Sequence, residues 1–242
     1  MSAADALIAE TPLAVLDVET SGRSPHRDRI LELSVVRLDP GAPPRLVFDS
    51  LIQSPKIGAS EIHQIYARDL KDAPSFASLA PKIIEALEGT IWVAFNAYFD
   101  VRFMNAAFAQ TGIEAPPPFL CAMGLRKMLG FGSRMGLKAT CEAAGLPFNE
   151  GHHIAVFDTW MTALWTRILR QRMLDLRLER FGELETLGNN KFLQSLQEPL
   201  WTVDTRPTLP ESALMKSRYA TLLQQPPFIS ETSALPPISD PD

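Results

Sequence analysis

An apolar run that ends in charge constrains this chain most: Leu13-Ala14-Val15-Leu16-Asp17-Val18-Glu19-Thr20-Ser21-Gly22. In a strand, side chains alternate faces, so Asp17 and Glu19 project from one side about 7 Å apart while Val18 points into apolar packing. Two anionic groups on one face of a buried strand end repel each other and resist desolvation. A hard divalent cation removes that conflict, because it prefers carboxylate oxygens. The plainer reading is a solvent-exposed strand end followed by a Ser-Gly turn, and on this stretch alone the two readings are level.

The rest of the chain bounds the setting. With 242 residues and 46% apolar composition it can bury a sizeable core, and compact domains of roughly 100–200 residues suggest one main domain plus an appendage. We expect the main domain at residues 1–182 and a C-terminal extension at 183–242. A net charge of −5 and a pI near 5.5 make the whole chain no electrostatic magnet for nucleic acid, so any such contact is local or made through bound metal. The two cysteines, Cys121 and Cys141, lack the spacing of a zinc site or redox pair and fit free thiols in a reducing compartment. No basic-then-apolar leader opens the chain, and no apolar run reaches the roughly 20 residues of a membrane span. The expectation is a soluble, cytoplasmic protein with no membrane partner.

In order, Ile30 to Leu38 and Arg45 to Ile52 read as second and third strands, making a β-meander with the first. Glu32 interrupts the second and is expected near an edge or a charged partner, in a structural role. Residues 59–70 read as a short helix. A longer helix follows Asp72-Ala73-Pro74-Ser75, with Phe76, Leu79, Ile83, Ile84 and Leu87 as its apolar stripe. Thr90 to Phe95 is a short buried strand, and Asn96 begins a helix carrying Phe99, Phe103, Met104 and Phe108. Phe119 to Met128 stays open between strand and helix. Gly136 to Ala144 is a small helix, and a long one starts at about Ala155, with Met161, Leu164, Trp165 and Ile168 on its buried side. Strands first, then helices alternating with strands, indicate an α/β domain with a mixed central sheet covered on both faces. Residues 195–242 hold eight of the twenty prolines. One helix is expected there, Glu211 to Gln224, and the remainder reads as a docking peptide or a plain flexible terminus.

Two further sites carry chemistry-bearing groups. Asn96 and Asp100, four apart, share one face of a helix leaving a buried strand. His153 and Asp158 are five apart, about 500° of helical rotation, so both face one site only if His153 lies in the loop and Asp158 in the first turns of the helix. Alone, Asp100 reads as a helix-dipole or capping residue, and His152-His153 as a surface feature. Together, Asp17, Glu19, Asp100, Asp158 and His153 suit a site for two divalent ions that clamp an in-line phosphoryl displacement, with histidine activating the water.

Asp17-Val18-Glu19-Thr20-Ser21-Gly22, Asn96-Ala97-Tyr98-Phe99-Asp100 and His153-Ile154-Ala155-Val156-Phe157-Asp158 resemble the three motifs of the DEDDh exonuclease family. That family includes the proofreading subunit of bacterial DNA polymerase III, RNase T and oligoribonuclease. The resemblance spans roughly residues 11–172, and Asp28-Arg29-Ile30-Leu31-Glu32-Leu33 and Ile62-His63-Gln64-Ile65 extend it. It implies an RNase H-like fold and Mg²⁺- or Mn²⁺-dependent 3′→5′ hydrolysis to nucleoside 5′-monophosphates. By the resemblance Asp17 bridges both metals, Glu19 and Asp158 hold the nucleophile-side ion, Asp100 supports the second, and His153 is the general base. Thr20, His63 and Asn96 are the expected substrate contacts. The expected partner is nucleic acid with a free 3′ end, DNA favoured over RNA, with a DNA polymerase docked through the C-terminal tail as a further expectation. Ser21, Gln64 and Cys121-Ala122 depart from the commoner family residues. None is a catalytic position, but Gln64 bears on substrate preference. The rival readings are an exoribonuclease and a docking adaptor.

Overall fold

The computed structural model describes residues 1–114, 117–133, 135–148, 154–203 and 213–218. The expected meander forms from β1 (Leu13–Thr20), β2 (Ile30–Leu38) and β3 (Arg45–Leu51), consecutive and antiparallel. Short α1 (Ser60–His63) and α2 (Ala67–Leu70) lead to α3 (Phe76–Leu87). Then follow β4 (Ile91–Ala94), α4 (Ala97–Ala109), β5 (Phe119–Cys121), α5 (Ala122–Met128), α6 (Leu137–Ala143) and α7 (Ala155–Asp175). Among the described residues the strands form one sheet in the order β3-β2-β1-β4-β5, with β4 and β5 parallel to β1. The sheet is thus mixed, with β1 at its centre, as the run of apolar residues into Asp17 requires.

Side-chain alternation along β1 sorts the layers. Ala14 lies opposite Trp92 of β4, which packs on Phe108 of α4, and Phe108 in turn meets Phe76 of α3 edge to face at 5.2 Å. The alternate positions, Asp17 and Glu19, meet Asp158 of α7. Helices α3 and α4 therefore cover one face and α7 the other. The stripe read for α3 is the stripe it buries, with Leu79, Ile83, Ile84 and Leu87 inaccessible and Phe76 half-buried. Ser75 caps that helix by accepting the Ser78 N–H at 3.1 Å.

Three local readings change. The helix expected over 59–70 is two pieces, because Gln64 takes a left-handed conformation (φ 55) and ends α1. The stretch left open at 119–128 is both things in turn, β5 and then α5. The helix expected over 211–224 is not found in its described part: residues 213–218 run without helical turns beside β3, where Leu51 N–H bonds the Lys216 carbonyl at 2.9 Å. Residues 183–203 stay on the body. The 3-10 segments Phe181–Leu187 and Lys191–Gln197 bury Leu184, Phe192, Leu193 and Leu196 in the main core, and Trp201 packs edge to face on Trp92 at 5.4 Å. No helix among the described residues is long and apolar enough to cross a membrane.

Candidate active site

The site lies where β1 ends. Asp17 and Glu19 leave the same face of the strand, and α7 brings Asp158 over it in its first turn. One carboxylate oxygen from each of the three lies within 4.8 Å of the others. Asp100, in the first turn of α4, joins from the other layer: its Oδ1 accepts the Val18 N–H at 3.2 Å, which ties α4 to the strand between the two acids. The alternation read from the sequence and the helical position assigned to Asp158 are both as expected.

Crowding these acids has the electrostatic result expected of it. Burial, then the charges of Asp100, Asp158, Glu19 and Glu32, holds the Asp17 carboxyl well above the usual range. Glu19 is pushed up to about 8 by burial and by Glu32 and Asp158. Asp100 rises to about 7, chiefly by burial, against the stabilising Val18 N–H bond. Such a group of crowded, partly buried carboxylates keeps protons unless a cation replaces them. The donor set is all carboxylate, which matches hard divalent ions rather than zinc-type N/S sites. The residues present therefore fit the metal that the sequence reading implies.

The other expected site residues divide. Thr20 is buried at the strand end and donates to the Gly22 carbonyl at 2.7 Å. Asn96 is exposed and immediately precedes α4, so it sits outside the helix whose face it was expected to share with Asp100. His63 is buried, and both ring nitrogens are engaged in its own loop. Nδ1 accepts the Ile65 N–H at 3.0 Å, which leaves the Nε2 proton to donate to the Gly58 carbonyl at 2.7 Å. Burial accordingly lowers its pKa. The loop it braces displays Ile62 and Tyr66 at the surface. His153, with His152 beside it, lies outside the described residues.

Glu32, expected in a structural role near an edge or a charged partner, has that charged partner and a second contact at a helix start. It stands opposite Glu19 in the β1–β2 register, is fully buried, and accepts the Ala155 N–H at the start of α7 at 3.2 Å. Arg218 pairs with it at 2.5 Å. A carboxylate in an otherwise apolar strand was the available signal for Glu32, and nothing local points to Arg218.

A family model described as Exonuclease (RNase_T) matches residues 14–165. DNA polymerase III PolC-type of Thermotoga petrophila is 30% identical over 190 residues, 76% of this chain, and that of Staphylococcus aureus 26% over 196 residues. The chain spans only 14% and 13% of the length of these two relatives. Among solved structures, Exonuclease X in complex with 5′ overhanging duplex DNA superposes with a TM-score of 0.54 at 24% identity, covering 73% of this chain and 99% of that one. Escherichia coli Exonuclease I in complex with a dT13 oligonucleotide gives 0.57 at 17%, covering 69% and 43%. A 3′-exonuclease that recognises a histone mRNA stem-loop gives 0.54 at 17%, covering 67% and 66%. These likenesses show the fold, a mixed sheet flanked by helices as in the RNase H-like exonucleases.

Proposed function

The chain belongs to the exonuclease family, and from that premise we propose that it hydrolyses nucleic acid from the 3′ end, releasing nucleoside 5′-monophosphates, with DNA as its substrate. The observation that carries the reading is the meeting of Asp17, Glu19 and Asp158, with Asp100 tied to the same strand.

When bound, a pair of Mg²⁺ or Mn²⁺ ions supplies charge against the developing phosphorane anion and acidifies the attacking water. In this reading Asp17, Glu19 and Asp158 hold them, and Asp100 supports the second. His153 takes the proton of the attacking water as general base, by its match to the family motif. The Val18 N–H bond orients Asp100, whose burial strengthens the charge interactions it makes. Thr20 and Asn96 border the strand end and α4, where a 3′-terminal nucleotide would lie. His63 acts through the loop it braces.

DNA rather than RNA is supported by the polymerase relatives, and those relatives also support association with a polymerase, for which the C-terminal tail is the proposed docking segment. The likeness to a 3′-exonuclease of histone mRNA keeps an exoribonuclease as the second reading. Cys121 and Cys141, buried and not joined in a disulfide, suit work in the cytoplasm.

A time course on 5′-labelled single-stranded DNA, mismatched duplex DNA and single-stranded RNA, with Mg²⁺ or with EDTA, tests this. A metal-dependent 3′ ladder on DNA, abolished by Asp17→Ala and slowed about 10²–10⁴-fold by His153→Ala, is expected. A ladder mainly on RNA moves the chain to the second reading. Undiminished turnover in His153→Ala overturns the base assignment.

A further inference from the structure

Glu32 poses a problem that the nuclease reading leaves unsolved. It is fully buried, it faces Glu19 across the β1–β2 pair, and like charges directly opposite each other are destabilising. A buried carboxylate without a counter-charge takes up a proton or swings away. Yet Glu32 is also the acceptor for the first N–H of α7, the helix that carries Asp158.

The counter-charge comes from the far end of the chain. Arg218 meets Glu32 as a fork, Nε to Oε1 at 2.7 Å and Nη2 to Oε2 at 2.5 Å, and its Nη1 donates to the His63 carbonyl at 3.1 Å. Its side chain is 13% exposed. The segment that delivers it is pinned along β3. Leu51 N–H bonds the Lys216 carbonyl, Lys216 N–H bonds Ser50 Oγ at 2.9 Å, Lys216 Nζ reaches the Asp69 carbonyl, and the Ser217 hydroxyl donates to Asp49. Lys216, Ser217 and Arg218 lie beyond residues 14–165, the part matched by the family model, whereas the groups they meet lie within it.

We propose that Arg218 is a positioning residue for the carboxylate site. It clamps Glu32, and the clamped Glu32 holds the first turn of α7, and so Asp158, in place against Asp17 and Glu19. The C-terminal segment is then a working part of the nuclease centre as well as a tail. The proposal rests on the reading that Asp17, Glu19 and Asp158 hold divalent ions.

The test is Mn²⁺ affinity of the full-length chain, read by titration without turnover, in wild type, Arg218→Gln and the double variant Glu32→Gln/Arg218→Gln. Glutamine at 32 keeps an oxygen for the Ala155 N–H but carries no charge. Removing a partner that orients a metal ligand costs about 10–100-fold in metal affinity, and that loss is expected in Arg218→Gln. The double variant is expected to bind near the wild-type value. Unchanged affinity in a folded Arg218→Gln overturns the proposal, as does an equal loss in the double variant, which would make the strap merely structural. If Arg218→Gln fails to fold, the double variant decides. Folded and binding Mn²⁺ normally, it supports the clamp; unfolded, it overturns it. A wild-type chain that binds Mn²⁺, loses it in Asp17→Ala and degrades no nucleic acid sinks the nuclease reading and leaves the clamp standing.

Discussion

The three acids that meet at the end of β1 come from two elements, Asp17 and Glu19 from the strand and Asp158 from α7. Asp17 and Glu19 are legible because alternation in a strand is strict: two acids two apart must share a face, and the apolar run before them must be buried. Asp158 is marked by its likeness to a family motif and by its place in the first turn of a helix. Glu32 is legible only as an oddity, since its meaning depends on Glu19 across the sheet and on Arg218. Gly58 is a further case. It sits at φ +55, and a Cβ there would run into the backbone carbonyl of Ser21, just past the acidic strand end. Its own carbonyl accepts from His63. Gly58→Ala is expected to cost about 1–3 kcal/mol in urea unfolding, because neither the backbone angle nor the Ser21 carbonyl can yield cheaply. A change below about 0.5 kcal/mol, the range of an ordinary surface substitution, would show that the loop relocates freely.

Elements with their own periodicity and caps were readable end to end, and elements decided by a single backbone angle were not. α3 has the Pro74-Ser75 entry, an apolar stripe, and Gly89 (φ +72) just beyond its end. Ser75→Ala removes the acceptor for the Ser78 N–H and should lower stability by about 0.5–2 kcal/mol, measured by denaturant unfolding. No loss would mean that Ser78 finds another acceptor. By contrast, the left-handed turn at Gln64 divides α1 from α2 although the composition continues, and the switch from β5 to α5 falls inside one apolar run. In such runs tertiary pairing outweighs propensity: Leu120 and Cys121 extend because Val93 and Ala94 offer a parallel edge.

At the scale of the molecule, residues 183–203 and the shared charge of the site decide stability together. Trp201 covers Trp92 and donates its indole N–H to the Glu114 carbonyl at 3.0 Å. Trp201→Ala is expected to cost about 3–5 kcal/mol, and truncation after residue 182 to leave a poorly folded chain. A truncated chain with a normal melting temperature would restore the extension as a separate appendage. The pH dependence has a definite sign. Burial first, then neighbouring acids, lifts Glu19 to about 8 and Asp49 to about 7; Asp100, also lifted chiefly by burial, reaches about 7, against ordinary values of 4.5 and 3.8. The folded chain thus holds protons that the unfolded chain has released, so metal-free stability is lost as pH rises from about 4 to about 8. Melting in EDTA should occur at a lower temperature at pH 8 than at pH 5, and Mn²⁺ should raise it more at pH 8, where fewer protons need be displaced. A melting temperature in EDTA that climbs over this range would contradict the burial of these acids. Strand alternation, helix spacing and motif order are local properties, so the layer class and the meeting of Asp17, Glu19 and Asp158 at the end of β1 were legible in the sequence. The packed fold alone shows that Glu32 accepts the first N–H of the helix bearing Asp158, that Arg218 neutralises it, and that residues 184–201 close the core. Those contacts join positions far apart in the chain, and loop closure over such distances leaves no period in the sequence.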